Sequence, residues 1–215
     1  MIAPGQRLEP PVFPSFAAVL LAGGQSRRMG RDKALLPLPG GRLLWERQLA
    51  VLRSLEPAEL FISGPARPGF PGDAFLLTDA QLGLGPLSGI AAALEAMRTP
   101  LLVVLAVDLP AMEPGFLRGL LARSEPGTGV VPFGEFFEPL AAVYPRECLD
   151  IARGCLQNRK LSLQDFIGAA GSLLRPWHLS AGERSLFTNW NKPDDQRRFP
   201  TAAVPPEPDS GLQDN

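Results

Sequence analysis

One stretch, residues 16–33, reads FAAVLLAGGQSRRMGRDK and sets the terms for the rest of the chain. Its first half, Phe16-Ala17-Ala18-Val19-Leu20-Leu21-Ala22, is an unbroken apolar run closed by glycines. A run of that length suits a strand buried on both faces. It is too short, and too soon followed by charge, to span a membrane. Gly23-Gly24 permits a sharp turn and a close approach of backbone to ligand, because glycine has no Cβ. Arg27, Arg28, Arg31 and Lys33 then put four cations into seven residues, where an even spread of the chain's 21 Lys and Arg would put fewer than one. A strand, a glycine turn and clustered cations are how α/β proteins hold phosphate at the carboxyl edge of a sheet.

Spacing removes two familiar versions of that device. A Walker A loop needs Gly-x4-Gly-Lys-Ser/Thr, whereas Gly24-x5-Gly30 is followed here by Arg31-Asp32-Lys33 with no hydroxyl next. The dinucleotide fingerprint Gly-x-Gly-x-x-Gly is absent too. A net charge of -1 and a pI near 5.9 argue against a nucleic-acid partner, so the phosphate chemistry is local. At 215 residues, with 45% hydrophobic and 20% charged content, the chain has the makings of one large domain with a real core. Cys148 and Cys155 sit seven apart in a helical pattern, which predicts two core thiols and no disulfide framework, and a cytoplasmic setting. Residues 1–15 hold four prolines and no apolar core; they read as a loose leader, not a signal peptide.

Along the chain, strand and helix patterns alternate. Residues 42–55 carry Leu44, Trp45, Leu49, Leu52 and Leu55 at helical spacing, with Trp45 expected in the core. Leu60-Phe61-Ile62 and Phe75-Leu76-Leu77 read as short strands, separated at 64–72 by a loop of three prolines and three glycines. A helix is expected over 90–97, led in by a loop through 82–89, and a second buried strand over 101–107. A helix over 113–123, strands at 129–133 and 139–144, helices near 148–156 and 161–167 and a strand at 173–177 follow. Residues 187–191 suggest a short strand or turn, 193–199 a terminal helix, and 200–215 a polar, proline-rich disordered tail. Strands alternating with helices over the first 130 residues predict a three-layer α/β/α domain, residues 16–199, with a mainly parallel sheet.

Three further places carry chemistry. Asp108 ends the second buried run, where an uncompensated carboxylate is costly and a divalent cation is a good partner; it also reads as a turn aspartate before Leu109-Pro110. Asp79 follows the third strand and reads equally as a ligand contact or a loop solubiliser. In Gly85-Pro86-Leu87-Ser88-Gly89, glycine-flanked backbone can read a purine edge, and Ser88 can cap the next helix.

The stretch within Leu20 to Lys33 resembles Leu-x-Gly-Gly-x-Ser-x-Arg-Met-Gly-x-Asp-Lys, the nucleotide-binding signature of the molybdenum cofactor guanylyltransferase family. The resemblance runs over about 17–198 and is strongest before Pro110. It implies a Rossmann-like nucleotidyltransferase fold. It also implies that Leu21, Ala22, Gly23, Gly24, Ser26, Lys33, Asp79, Gly85, Pro86, Leu87, Gly89 and Asp108 bind the nucleotide, with Asp108 on Mg²⁺. By the same resemblance Pro139-Leu140-Ala141-Ala142-Val143-Tyr144 matches a family strand, and Arg159, Lys160, Asn189 and Asn191 face the pterin acceptor. Asn191 reads alternatively as a helix N-cap before Pro193. One departure stands out: Ser63-Gly64 replaces the Asn with which relatives contact guanine.

The implied reaction is transfer of GMP from GTP to the terminal phosphate of molybdopterin, in its metal-loaded form or not, with release of pyrophosphate. An acceptor phosphate is already an anion and needs no strong base. A site of cations and one metal carboxylate suits this, since catalysis is then positioning and charge neutralisation. Lys33, Arg28 and Asp108 are the expected catalytic set. Recipient molybdoenzyme apo-proteins or insertion chaperones are compatible partners. The rivals are a cytidylyl- or sugar-1-phosphate nucleotidyltransferase of the same superfamily, and a non-catalytic nucleotide-binding regulatory module.

Overall fold

The computed structural model describes residues 13–23, 32–38, 40–67, 69–77 and 84–188. Within them the chain runs β1 (Phe16–Leu21), α1 (Leu44–Arg53), β2 (Glu59–Ser63), β3 (Phe75–Leu77), α2 (Pro86–Ala96), β4 (Leu101–Ala106) and α3 (Pro114–Leu121). It continues through β5 (Gly129–Phe133), β6 (Ala141–Pro145), α4 (Cys148–Gln157), α5 (Leu163–Ala170) and β7 (Leu174–His178), with short 3-10 turns at Lys33–Leu35, Gly171–Leu173 and Glu183–Phe187.

All strands join one sheet in the order β3-β2-β1-β4-β6-β5-β7. The chain winds outward from β1 to β2 and β3, then crosses back to lay β4 on the other side of β1. That reversal is a topological switch point, the place where open α/β sheets bind ligands. β1 pairs in parallel with β2 and β4, and every residue of β1 and β4 is buried. Their apolar runs are continuous because both faces are covered.

Alternation along β1 divides the core. Phe16, Ala18, Leu20 and Ala22 pack with Leu44, Trp45, Leu49 and Leu52 of α1 and Leu117, Leu120 and Leu121 of α3. Ala17, Val19 and Leu21 face the opposite layer, where α2, α4 and α5 contribute Leu87, Ile90, Cys148, Cys155 and Phe166. The result is α/β/α, with helices on both faces. Both cysteines are buried and unpaired, and burial, aided by the nearby Glu147, pushes the Cys148 thiol up to about 12.

Several boundaries differ from the sequence expectations. β6 runs antiparallel to both β4 and β5. The connection from β5 to β6 is only seven residues, 134–140, too short for a parallel crossover. Helix α2 begins at Pro86, not at residue 90, because Pro is favoured in a first turn and Gly85, at φ 75°, turns the chain into it. Ser88 therefore lies inside the first turn and donates to the Gly85 carbonyl; it is not the cap. β6 and α5 each sit about two residues later than expected. Residues 183–187 form a 3-10 turn where the expected strand or turn was just beginning. The expected leader, terminal helix and tail fall largely outside the described residues. No described helix is long and apolar enough to cross a membrane.

Candidate active site

The switch point lies between the carboxyl ends of β1 and β4. The Val107 amide donates to the Leu21 carbonyl at 3.1 Å, so the two strand ends leave the sheet side by side. The Ala22 amide donates to the Ser63 carbonyl at 2.8 Å, which draws in the end of β2 as well. Gly64, at φ +142°, completes the approach: a Cβ there would lie 2.7 Å from the Gly23 nitrogen and 2.9 Å from the Ala22 carbonyl carbon. Glycine is needed for both its backbone angle and its lack of volume.

Lys33 returns to this edge on its 3-10 turn. Its Nζ lies 3.4 Å from Oδ2 of Asp108, two residues past β4, with the side chains 20% and 25% exposed. Residues 75 apart in sequence thus converge at the switch point. At 3.4 Å the contact is long for a charge-assisted hydrogen bond, so the pair is loosely made and both partners can exchange for phosphate and cation.

Two supports hold them there. Asp32 caps the turn by accepting the Ala34 amide at 3.1 Å. Arg67 grips Asp32 with Nε at 2.6 Å and Nη2 at 3.0 Å, and the same Nη2 donates to the Ala22 carbonyl at 2.8 Å. On the other side, the fully buried Gln48 of α1 donates through Nε2 to the carbonyls of Ala106 at 3.3 Å and Leu109 at 2.6 Å, which flank Asp108. Arg47 Nη1 donates to Gln48 Oε1 and to the Met112 carbonyl; burial lowers its pKa against the opposing pull of Glu113. Neither Arg67 nor Gln48 was anticipated from the sequence.

Of the expected nucleotide-binding residues, Leu21, Ala22, Gly23, Lys33 and Asp108 stand together at this edge. Gly85, Pro86, Leu87 and Gly89 form the start of α2. Leu87 is fully buried, so a ligand contact there must come from its backbone. Gly89 fits against β1 and β2: a Cβ on it would lie 2.5 Å from Ser63 Oγ and 3.0 Å from Leu21 Cδ2. Gly24, Ser26, Arg28, Asp79, Asn189 and Asn191 lie outside the described residues. Arg159 and Lys160 close α4, where the Lys160 amide donates to the Cys155 carbonyl and Arg159 takes φ 55°. α5 follows directly, and its Gln164 donates to the Phe137 carbonyl, beside the carboxyl end of β5. The two cations therefore stand on the same edge of the sheet as Lys33 and Asp108.

Among the described residues no three His, Cys, Asp or Glu side chains converge as a cage for metal. A single part-exposed carboxylate fits a cation that arrives with phosphates and keeps several waters, as hard divalent ions do in nucleotide sites.

A family model described as the MobA-like NTP transferase domain matches residues 18–173. The chain is 39% identical over 191 residues to a protein of Opitutus terrae named "Probable molybdenum cofactor guanylyltransferase", covering 86% of this chain and 94% of that one. It superposes on molybdopterin-guanine dinucleotide biosynthesis protein A of Archaeoglobus fulgidus with a TM-score of 0.65 at 25% identity, over 85% of this chain and 95% of the other. The 2-C-methyl-D-erythritol 4-phosphate cytidylyltransferase of Thermus thermophilus gives a TM-score of 0.61 at 20% identity, covering 83% and 94%, a likeness of fold alone. With the match spanning most of its length, the chain belongs to the MobA-like NTP transferase family and is a nucleotidyltransferase of the kind that works with a divalent metal.

Proposed function

We propose that this enzyme transfers GMP from GTP to the terminal phosphate of molybdopterin and releases pyrophosphate. The observation that carries the reading is the convergence of Lys33 and Asp108 at the switch point, inside a chain 39% identical to a relative with this named activity. The cytidylyltransferase shares the fold, so fold does not choose the donor; the Gly23-Gly24 and Asp32-Lys33 pairs of the signature favour the cofactor enzyme.

An oxygen of the acceptor phosphate attacks the α-phosphorus in line. The new P–O bond forms as the bond to the β-phosphate bridging oxygen breaks, and pyrophosphate departs with that electron pair. No proton need be removed from the nucleophile. Lys33 and Arg28 neutralise the triphosphate, and main-chain groups of Gly23, Gly24 and the first turn of α2 position it. Asp108 would hold Mg²⁺, which supplies charge neutralisation on the phosphate oxygens. Arg159 and Lys160 meet the acceptor phosphate, with Asn189 and Asn191 on the same substrate. Gly85, Pro86, Leu87 and Gly89 offer backbone groups to the base, and Asp79 lies near the nucleotide. A cytoplasmic enzyme that hands its product to molybdoenzyme apo-proteins or insertion chaperones is consistent with this chemistry.

Thermal shift with GTP, CTP, ATP and UTP, each with Mg²⁺, tests the donor. GTP should raise the melting temperature most, since a ligand that binds only the native state stabilises it by mass action. A larger shift with CTP would overturn the guanylyl reading in favour of the cytidylyl one.

A further inference from the structure

The guanidinium of Arg67 is the hub of a clamp that nothing in the signature announces. It sits in the loop after β2, in a proline- and glycine-rich segment, yet its side chain is only 5% exposed. Phe70 lies beneath it, with the guanidinium 5.6 Å from the ring centroid, and Phe70 in turn packs edge-on against Trp45 of α1 at 5.0 Å. The residue is therefore anchored to the core and cannot swing freely with its loop.

Of its four donor contacts, Nη1 to the Pro65 carbonyl at 3.4 Å stays within its own loop, and the other three go to two residues with different duties. The fork on both oxygens of Asp32 fixes the residue that caps the Lys33 turn, and the bond to the Ala22 carbonyl fixes the end of β1. One planar group thus ties the two chain positions on either side of residues 23–31 to each other. It also occupies the carboxylate next to Lys33 in sequence. An unclaimed Asp32 would compete for the Lys33 ammonium, which instead lies against Asp108.

We propose that Arg67 is a positioning residue for the donor triphosphate, acting through Asp32 to hold Lys33 at the switch point. The inference deepens the nucleotidyl-transfer reading and rests on it. Lysine cannot replace this arginine, because an ammonium is a point charge that cannot fork onto a carboxylate while reaching a carbonyl.

Steady-state kinetics of full-length Arg67→Lys, Arg67→Met, Asp32→Asn and the Arg67→Met/Asp32→Asn pair, with GTP and acceptor varied separately, test it. Arg67→Met alone strands the Asp32 charge and can lose stability; the pair removes both charges and should melt near wild type. The folded pair should still lose about 100-fold in kcat/KM for GTP, the scale of a reacting group misplaced by 1 Å. Its KM for the acceptor should not move. Arg67→Lys should not rescue, and the pair should fall no further than the worse single variant. Wild-type kcat/KM for GTP in the pair, rescue by lysine, or equal loss toward both substrates would overturn the role. If the wild-type protein instead uses another triphosphate, the donor assignment fails by itself, and the same comparison with that nucleotide still judges Arg67.

Discussion

Nε2 of Gln48 donates to the carbonyl of Leu109 at 2.6 Å, one residue past Asp108, and the same nitrogen reaches the Ala106 carbonyl two residues before it. A helix on one face of the sheet thereby sets the backbone that carries the carboxylate. Without the amide, two buried carbonyls lose a donor.

Gln48→Leu keeps the volume and removes those bonds. It should cost about 1–3 kcal/mol of stability, the scale of leaving buried polar groups unsatisfied. It should also raise the Mg²⁺ concentration needed for half-maximal turnover, because the Asp108 loop is no longer pinned. Denaturant melts and a metal titration check the two parts. A stability loss with an unchanged metal requirement would confine Gln48 to the core.

Asp108→Asn preserves shape and removes charge. Turnover should fall below detection while circular dichroism and the melting temperature stay close to wild type, since the side chain is part-exposed and its pairing with Lys33 is weak. Activity within a few-fold of wild type would place the metal elsewhere.

Lys33→Ala should cost roughly 2–4 kcal/mol in transition-state stabilisation, the loss seen when one preorganised electrostatic donor is removed. Arg31 is adjacent in sequence and lies outside the described residues; with the neutralising role assigned to Lys33 and not to Arg31, Arg31→Ala should cost little. Equal losses would mean a diffuse basic patch in place of a single placed cation.

How much of this could be read in the chain follows from where each signal resides. The β1 run and the placement of Asp108 just past the next buried strand are local features, and local features survive into the fold. The antiparallel β6 was legible in principle, since a seven-residue connection after β5 permits a hairpin and no crossover. The start of α2 at Pro86 was equally available from the proline after Gly85. Gln48 had a fainter signal: it falls four residues after Leu44 and four before Leu52, on the buried stripe of α1, where a polar side chain must find partners. Arg67 had none. Its neighbours are prolines and glycines, and only the folded chain brings Asp32 and Ala22 within its reach.

Gly64 belongs to the Ser63-Gly64 pair at the end of β2, where the resemblance implies an asparagine near the base. Gly64→Ala should be destabilised by about 1–3 kcal/mol, the range for a side chain forced into a sparsely populated backbone region. The added Cβ would press on Gly23, so GTP should also give a smaller thermal shift than in the wild type. A variant as stable as wild type with full nucleotide response would show that the strand ends can separate without consequence.

Glu138 gives a prediction with a definite sign in pH. It lies just before β6, with its amide donating to the Pro132 carbonyl at 2.8 Å, and burial raises its carboxyl above the ordinary value of 4.5. The folded protein therefore favours the protonated form more than the unfolded chain does. Below pH 4.5 both states hold the proton and the group contributes its full share to stability; as pH rises through the elevated folded value, that share is lost. Glu138→Gln carries no ionisable proton and escapes the loss. Its melting temperature should exceed wild type at pH 7, and the two should converge as pH falls through 4.5. Paired thermal melts from pH 4 to 8 would read this directly. A constant offset across the range would mean that the carboxylate is solvated in the fold and that packing alone separates the variants.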